Sequence, residues 1–354
     1  MLDPSGDLAD LLQDLVDIES VSGQETALAD QIEAALRPCR HLQLTRQGNN
    51  ISARTELGRS QRVAIAGHLD TVPPAGNLPS QRLQRDGRAV LAGRGSVDMK
   101  GGLAVQLALA VQLTEPRWDL SWIFYDNEEV EAAKNGLGQL ARSRPDLLRA
   151  DFAILMEPTA GVVEGGCQGS LRAWVTTSGQ AAHAARSWLG HNAIHDMAAV
   201  LARLRDHRPD RVLVDGLEYR EGLNAVTIEG GLAGNVIPDR CRVQVNYRFS
   251  PDKSPERAEA CLRAILAGYE VVVADLAPGA RPGLDTPWAA ELVAATGQPA
   301  RPKYGWTDVA RFAALGLPAV NYGPGDPNLA HTVAEAVELD QVSICHSVLA
   351  GWLS

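Results

Sequence analysis

Apolar and polar positions along the chain follow two rhythms, one typical of amphipathic helices and the other of covered strands. Leucines between residues 8 and 18 recur at helical spacing and predict a helix that Ser5 or Asp7 would cap, and a second helix is predicted over residues 25–36. Four apolar runs are typical of strands, and they alternate with helical patterns such as GGLAVQLALAVQL: RVAIAGHLD, DLSWIFYDN, DFAILMEP and LPAVNYGPG. This alternation predicts an α/β domain with a largely parallel sheet covered on both faces.

The middle of the chain has a different order of elements. Strand, helix, strand, strand, helix and strand patterns follow one another there, which is the βαββαβ order of a ferredoxin-like module. Glycine-rich and turn-rich stretches flank the module. The sequence therefore predicts an inserted domain at 169–279 within a discontinuous catalytic domain formed by 1–168 and 280–354.

Composition narrows the possible classes of protein. The chain has 354 residues, a net charge of −10 and a pI of about 5.3, so it offers no basic surface for nucleic acid or for an anionic membrane. Its N-terminal stretch lacks a basic region, and its most apolar run is too short to span a bilayer. Five scattered cysteines form no C-x-x-C pair and are expected to be small buried side chains. We expect a cytoplasmic protein whose partners include neither nucleic acid nor membrane.

The stretch SWIFYDNEE ends a predicted strand with two adjacent glutamates, Glu128 and Glu129. One interpretation is the capping of a helix that runs through Val130 and Ala133, because acidic residues are favoured in a first helical turn. The other is a functional site at the carboxyl end of the strand, where ligands bind in sheets of this kind. The second interpretation requires partners elsewhere in the chain.

Such partners occur in four other segments, GHLDTVP, GRGSVDMKGG, MEPT and LAHTV. The candidate residues are His68, Asp70, Asp98, Glu128, Glu129, Glu157 and His331. Each has an ordinary structural interpretation when taken alone, since a single histidine is commonly structural and Asp98 could cap a helix. Together they predict a site for two divalent metal ions with imidazole and carboxylate ligands.

Charge balance supports this interpretation. Two Zn²⁺ ions bring four positive charges, which three carboxylates and one bridging hydroxide would neutralise. The groups counted are the carboxylates of Asp98, Glu129 and Glu157 and the neutral imidazoles of His68 and His331. Glu128 is then a surplus carboxylate beside the metals, as a general base requires. Asp70 lies on the same side of an extended chain as His68 and is placed to fix the tautomer of its imidazole.

The motifs resemble, over the whole chain, those of the dizinc aminoacylase and carboxypeptidase family of amidohydrolases. The family motif H-x-D is His68-Leu69-Asp70 here, and G-x-G-x-x-D-M-K-G is Gly93 to Gly101. YDNEE matches the adjacent-glutamate motif, and Glu157-Pro158 and His331 complete the set. Five motifs in order are a specific signal.

The resemblance implies a zinc-peptidase-like α/β/α catalytic domain interrupted by a ferredoxin-like domain through which the protein forms a homodimer. It implies two Zn²⁺ ions per subunit, with Co²⁺ a plausible substitute: His68 and Glu157 would bind one, Glu129 and His331 the other, and Asp98 would bridge them. A cis peptide is expected at Asp98-Met99. The zinc-bridged hydroxide would attack an amide carbonyl, with Glu128 as the base that later protonates the leaving amine.

For the inserted domain, the resemblance implies that His183 reaches the active site of the partner subunit and stabilises the oxyanion. Asn235 and Arg248 match positions that bind the substrate carboxylate. Thr307 belongs to a substrate loop in which Trp306 is unusually bulky, so that Trp306 either narrows the pocket or packs beneath the loop.

Chain length and the run GHLDTVPPAGNLPS resemble most closely the branch of the family that hydrolyses N-succinyl-LL-2,6-diaminopimelate on the path to lysine. The chain departs from that branch in having Cys167 and Gln168 where many members have arginines. A succinyl carboxylate favours a guanidinium partner, and Arg186 or Arg172 could supply it from a new position.

Two alternatives remain open at this stage. A deacetylase of N-acetylornithine, or another N-acyl amino acid or dipeptide hydrolase of the family, would use the same metal residues. A non-catalytic binding homologue would have lost a ligand or the base, and this chain has lost neither.

Overall fold

The computed structural model describes residues 2–354. Its helices are α1 (Leu8–Asp17), α2 (Thr26–Leu36), α3 (Lys100–Gln112), α4 (Gly136–Ser143), α5 (Ala193–Asp206), α6 (Pro255–Ile265), α7 (Pro287–Thr296), α8 (Val309–Ala314) and α9 (Leu339–Leu353). Its strands are β1 (Gln43–Gln47), β2 (Asn50–Arg54), β3 (Arg62–His68), β4 (Gln81–Arg85), β5 (Arg88–Ala92), β6 (Asp119–Tyr125), β7 (Phe152–Leu155), β8 (Glu164–Gly165), β9 (Gly169–Ser178), β10 (Ala182–His183), β11 (Arg211–Val214), β12 (Leu217–Arg220), β13 (Gly222–Gly230), β14 (Val236–Ile237), β15 (Arg240–Phe249), β16 (Glu270–Ala277), β17 (Arg301–Pro302), β18 (Ala319–Asn321) and β19 (Ala336–Glu338). Short 3₁₀ helices cover Pro145–Leu148, Ala184–Leu189 and Pro327–Leu329. No helix within residues 2–354 combines the length and the apolar character that crossing a membrane requires.

The chain divides into two compact units. The first comprises the residues up to 165 together with 282–301 and 307–354, and the second comprises 166–281 and 302–306. The short segment 302–306 groups with the second unit, where the Trp306 indole N–H donates to the Pro278 carbonyl at 3.0 Å. The sequence pattern did not predict that this segment belongs to the second unit, because five residues are too few to show a periodicity.

The first unit contains an eight-stranded sheet of order β1-β2-β6-β3-β7-β18-β8-β17. Its four central strands, β6, β3, β7 and β18, are parallel, as predicted, whereas β2 pairs with β6 and β8 pairs with β18 in antiparallel fashion. His68 lies opposite Tyr125, and Ala66 opposite Leu155, so the carboxyl ends of the parallel strands meet at one edge. That edge receives the segments in which the candidate residues occur.

Helices bury the faces of this sheet. Almost every residue of α3 is buried, because the helix is apolar on all sides and packs between the sheet and other helices. At the start of α1, the Asp7 side chain accepts the backbone N–H groups of Ala9 and Asp10 at 2.9 and 3.0 Å, so Asp7 rather than Ser5 is the cap. A separate three-stranded sheet, β19-β5-β4, belongs to the same unit.

The second unit has the predicted βαββαβ arrangement. Its antiparallel sheet has the order β13-β15-β9-β16, and α5 and α6 contribute to a core that also contains Leu171, Val175 and Val243. Alternate residues of β15 are buried, which leaves the polar positions of this strand on the opposite face.

The helix considered after the adjacent glutamates is absent. Residues 126–135 form turns and bends, and α4 begins only at Gly136, where the Asn135 side chain accepts the Gly138 N–H at 2.8 Å. The helix-capping interpretation of Glu128 and Glu129 is therefore wrong.

Candidate metal centre

His68 ends the central strand β3 and is 1% exposed. Its Nδ1 lies 2.9 Å from the Asp70 carbonyl oxygen, which can only accept, so Nδ1 carries the proton. In the neutral ring Nε2 is then an acceptor, yet it lies 3.2 Å from Oδ1 of Asp98. Two acceptors at this distance require a cation between or beside them, either a proton or a metal ion.

Asp98 joins two histidines through its two oxygens. Oδ1 faces His68, and Oδ2 lies 3.3 Å from Nε2 of His331. Asp98 does not cap α3, whose N-cap position is Met99 and lacks a side-chain hydrogen bond. The Asp98-Met99 peptide is cis, as the family resemblance implied. A carboxylate that offers one oxygen to each of two imidazole sites fits a bridging role.

Glu129 and His331 form the other side of the group. Oε1 of Glu129 lies 2.7 Å from Nε2 of His331, a side chain that is half exposed and whose residue has a φ of 64°. One ligand atom each from His68, Asp98 and Glu129 fall within 4.8 Å of one another, the single such group of metal-ligating side chains found among residues 2–354. The donor set of imidazole nitrogens and carboxylate oxygens is one that zinc and cobalt accept.

The carboxylates stabilise positive charge at both imidazoles. Burial lowers the pKa of His68, but Asp70 and Asp98 outweigh burial, and the pKa is raised well above its usual value. Asp98 and Glu129 raise the pKa of His331 to about 10. Burial raises the pKa of Asp98, but the two histidines outweigh it and hold this pKa well below its usual range. The centre is therefore built to hold cationic charge, and its residues fit a divalent metal.

Asp70 holds the turn that carries the adjacent glutamates. Its two oxygens accept the backbone N–H groups of Glu128 and Glu129 at 2.9 and 3.0 Å, and the Ser22 hydroxyl donates to it at 2.7 Å. Its carboxylate also lies 3.5 Å from Nδ1 of His68. The sequence predicted only the contact with the histidine, and the contacts with the turn are an addition to it.

A second buried acid supports the same turn. Oε1 of Glu25 accepts the N–H of Asn127, which has a φ of 57°, at 3.2 Å. Burial raises the pKa of Glu25, and the nearby carboxylates of Asp70 and Asp126 raise it further. The role of Glu25 could not be predicted from the sequence, because Glu25 stands at the start of a predicted helix, where an acidic residue has an ordinary explanation.

Glu128 stands apart from the histidine–carboxylate group. Burial raises its pKa well above the usual value; His68 lowers it, and Asp308, Glu157 and Glu129 raise it again. A carboxyl group that gains a proton easily beside a metal-ligand cluster has the property of a general base.

Glu157 follows β7 and is 6% exposed. It is near enough to Glu128 to raise the pKa of that residue. It is not a member of the compact group of His68, Asp98 and Glu129, and its role as a ligand stays a prediction.

In the second unit, His183 and Asn235 are neighbours. His183 pairs with Val236 in the β10–β14 ladder, and the Ala184 N–H donates to the Asn235 carbonyl at 2.8 Å. Nδ1 of His183 accepts the Ala185 N–H at 3.0 Å, so in the neutral ring Nε2 carries the proton. His183 therefore presents an exposed N–H donor.

The predicted carboxylate-binding residues of the second unit have different surroundings. Arg248 on β15 is partly buried, and burial first and the nearby Arg172 second lower its pKa. Arg172 on β9 forms an ion pair with Asp275 at 3.1 Å. Arg186 lies in the exposed 3₁₀ segment that directly follows β10.

Thr307 is buried in the first unit and donates to the Asn321 side chain at 2.8 Å. Its predicted contact with substrate stays a prediction. Two further buried residues, Arg94 and Glu335, also escaped the sequence analysis, although Arg94 lies within the motif GRGSVDMKGG and Glu335 four residues beyond His331. Only proximity to these ligands in the chain could have singled them out.

Comparison with known proteins identifies the family. The family model "Peptidase family M20/M25/M40" matches residues 64–354. The chain is 53% identical over 356 residues to a putative succinyl-diaminopimelate desuccinylase of Mycobacterium tuberculosis, covering 100% of this chain and 99% of the relative. It is 45% identical over 364 residues to the succinyl-diaminopimelate desuccinylase of Corynebacterium glutamicum, covering 100% and 98%.

The fold has solved counterparts. A tripeptidase from Staphylococcus aureus superposes with a TM-score of 0.80 at 20% identity, covering 100% of this chain and 98% of that one. The family model and the two full-length relatives confirm the family resemblance carried by the five motifs. The chain belongs to peptidase family M20/M25/M40 and is a metal-dependent hydrolase.

Proposed function

We propose that the chain hydrolyses N-succinyl-LL-2,6-diaminopimelate to succinate and LL-2,6-diaminopimelate. The observation that carries the proposal is the Asp98 carboxylate set between two imidazoles, with the surplus carboxyl group of Glu128 nearby. The choice of substrate is supported by the two full-length relatives that bear the name of this activity.

Two divalent ions, zinc by preference and cobalt as a substitute, would bind His68, Asp98, Glu129, Glu157 and His331. When bound, they would polarise the amide carbonyl and lower the pKa of the attacking water. Asp70 supports this arrangement because its carboxylate fixes the His68 ring and accepts the backbone N–H groups of Glu128 and Glu129.

Glu128 is proposed to move the proton. Its carboxylate accepts a proton from the water that attacks the amide carbon, and its raised pKa favours retention of that proton. It then gives the proton to the departing amine nitrogen, so that the carbon–nitrogen bond breaks with a neutral leaving group. The carboxylate is regenerated for the next cycle.

The inserted domain is proposed to bind the rest of the substrate. The Nε2–H of His183 would donate to the oxyanion that develops in the active site of the partner subunit. The adjacent Asn235 and the guanidinium of Arg248 would bind a substrate carboxylate. Arg186, or Arg172 on β9, is proposed as the second carboxylate partner, and the nearby charge of Arg172 lowers the pKa of Arg248.

We propose that the protein works as a homodimer through this domain. Strand β13 is an edge of the four-stranded sheet, and its residues from Asn224 to Gly230 are exposed. They include Val226 and Ile228, each 53% exposed. An exposed, apolar edge strand is a template for pairing with a second copy of the chain.

The test is the release of free amine by zinc-loaded protein from N-succinyl-LL-2,6-diaminopimelate and from N-acetylornithine. We expect kcat/KM to be at least about 100-fold higher for the succinyl compound, since a buried carboxylate–guanidinium contact contributes roughly this much. Preference for the acetyl compound would contradict the proposed substrate but would agree with the proposed hydrolytic mechanism. Zinc-loaded protein that hydrolyses neither compound would contradict the proposed function.

A further inference from the structure

An ion pair lies buried behind the candidate metal centre. Nη1 of Arg94 is 2.6 Å from Oε2 of Glu335, and the two side chains are 3% and 1% exposed. Both residues belong to the first unit, and neither is among the proposed metal ligands. A charged pair at this depth is costly to desolvate and is often no more stabilising than apolar residues of the same volume, so its presence is weak evidence for a role in overall stability.

The remaining hydrogen bonds of Glu335 go to the segment that carries Asp98. Oε1 of Glu335 accepts the backbone N–H groups of Val97 and Asp98 at 3.1 and 3.2 Å. The Glu335 carbonyl oxygen also accepts the Gly93 N–H at 3.1 Å. Glu335 therefore holds both ends of the glycine-rich segment 93–98, including the amide of the bridging aspartate itself.

Arg94 extends the same network to a third segment. Its Nε–H donates to the Pro73 carbonyl at 3.2 Å, and its backbone N–H donates to the Asn77 carbonyl at 3.1 Å. The pair thus ties residues 73–77, which follow Asp70, to the segments that carry Asp98 and His331.

Asp98 and His331 both lie in turns, outside regular helix or strand. Side chains on turns keep a metal-binding geometry only when other contacts fix the backbone beneath them. Glu335 stands four residues beyond His331 and accepts the backbone N–H of Asp98, so it connects the backbone segments that carry the two residues.

We infer that Glu335, held by Arg94, is a positioning residue that sets the spacing between Asp98 and His331 and thereby the metal affinity of the centre. This inference rests on the proposed metal centre. Carboxylates that orient ligand-bearing segments typically change metal affinity by about 10- to 100-fold when they are replaced.

The test compares Glu335→Gln with a matched control, Glu221→Gln. Glu221 is equally buried in the second unit, where it accepts the Ser250 N–H and the Tyr247 hydroxyl, both at 2.8 Å, and pairs with Lys253. Both substitutions remove one buried charge and leave a cation without its partner. Only the first touches a segment that carries proposed metal ligands.

Metal-free protein is titrated with Co²⁺ against a competing chelator, and the visible absorption of the bound Co²⁺ is recorded. We expect Glu335→Gln to weaken the apparent affinity by about 10- to 100-fold and to alter the Co²⁺ spectrum, with Glu221→Gln matching the wild type in both. Arg94→Lys, which keeps the charge but loses the guanidinium that contacts both Glu335 and the Pro73 carbonyl, should also weaken binding.

Affinity within twofold of wild type and an unchanged spectrum in Glu335→Gln and Arg94→Lys would overturn the inference while leaving the metal centre intact. Equal loss of affinity in Glu221→Gln would also overturn it, because the effect would then be one of general stability. Wild-type protein that binds no Co²⁺ would overturn the proposed centre and this inference together.

Discussion

At the scale of single residues, Glu128 differs from Glu129 by what lies around its carboxyl group. Glu129 contacts His331 at 2.7 Å. The pKa of Glu128 is instead set by burial and by the charges of His68, Asp308 and Glu157. Both backbone N–H groups are held by Asp70, so two neighbouring carboxylates can present different chemistry from one fixed turn. This difference predicts that replacing Glu128 lowers turnover and leaves metal binding unchanged.

Glu128→Gln should lower kcat by roughly 10²- to 10⁴-fold, because the amide cannot accept the proton of the attacking water. Bound metal should stay at the wild-type level, since Glu128 is proposed as a base and not as a ligand. Turnover and metal content of purified protein measure the two effects. The control is Glu131→Gln, an exposed side chain in the same segment that pairs with Lys134 at 3.0 Å, and it should leave both values unchanged. Loss of metal from Glu128→Gln would contradict the assignment.

The stabilising effect of the buried residue Glu221 is predicted to depend on pH. Burial raises the pKa of Glu221, but Lys253, the Ser250 N–H and Tyr247 outweigh it, and the pKa is lowered in the folded protein. A carboxyl group with a lowered folded pKa stabilises the fold above its unfolded pKa of about 4.3, and this stabilisation disappears as pH falls through the folded value.

Glu221→Gln should therefore cost roughly 1.5–3 kcal/mol of unfolding free energy at pH 7. The difference from wild type should shrink as the pH falls below about 4, where the wild-type carboxylate becomes protonated. Denaturant unfolding across this pH range measures the difference. A gap between the two proteins that is the same at pH 7 and pH 3 would show that the charge of Glu221 is not the stabilising feature.

At the scale of elements, the segment 126–135 shows why local sequence misleads. Its acidic residues suit a first helical turn, yet Asp70 and Glu25 accept the backbone N–H groups of residues 127–129, and Asn127 adopts a left-handed conformation. Acceptors distant in the chain thus fix the turn that local propensity would have made helical. No pattern within the segment itself could have indicated this.

Helix α3 provides an element-scale prediction. A Cβ at Gly102 would lie 2.1 Å from the Met156 carbonyl oxygen, so this glycine lets the helix approach the end of β7 just before Glu157. Gly102→Ala should push the two apart, destabilise the protein by roughly 1–3 kcal/mol and reduce bound metal.

Gly351 in α9 is the matched control, because a Cβ there would meet no heavy atom within 4 Å. Gly351→Ala should stabilise the protein by roughly 0.5–1 kcal/mol, since alanine loses less conformational entropy in a helix. Denaturant unfolding measures the expected loss of stability in Gly102→Ala and the expected gain in Gly351→Ala. A neutral Gly102→Ala would mean that α3 and β7 are free to separate without cost.

At the scale of the whole molecule, the proposed dimer depends on the exposed edge strand β13. Ile228→Lys should convert a dimer to a monomer, because a charged side chain on the edge opposes pairing with a second strand. Sedimentation measures the mass of the assembly. Leu213→Lys, at a 74% exposed position in the β11–β12 hairpin of the same unit, should leave the assembly unchanged. A wild-type monomer at micromolar concentration would contradict the proposed dimer.

The amino-acid sequence by itself predicted the principal helices and strands, the βαββαβ module and the candidate metal ligands. Hydrophobic periodicity and the ends of apolar strands are local properties, and His68, the adjacent glutamates and Glu157 stand where such strands end. The motifs around them were specific enough to identify the family.

Only the tertiary structure decided how these residues are held. The antiparallel margins of the sheet, the absence of a helix after Glu129, and the supporting roles of Glu25, Arg94 and Glu335 depend on contacts between segments far apart in the chain. Glu335 lies 241 positions from Arg94, and no periodicity links them. Buried polar groups must find partners wherever the fold brings them, and that requirement is set by three-dimensional packing and not by neighbouring residues.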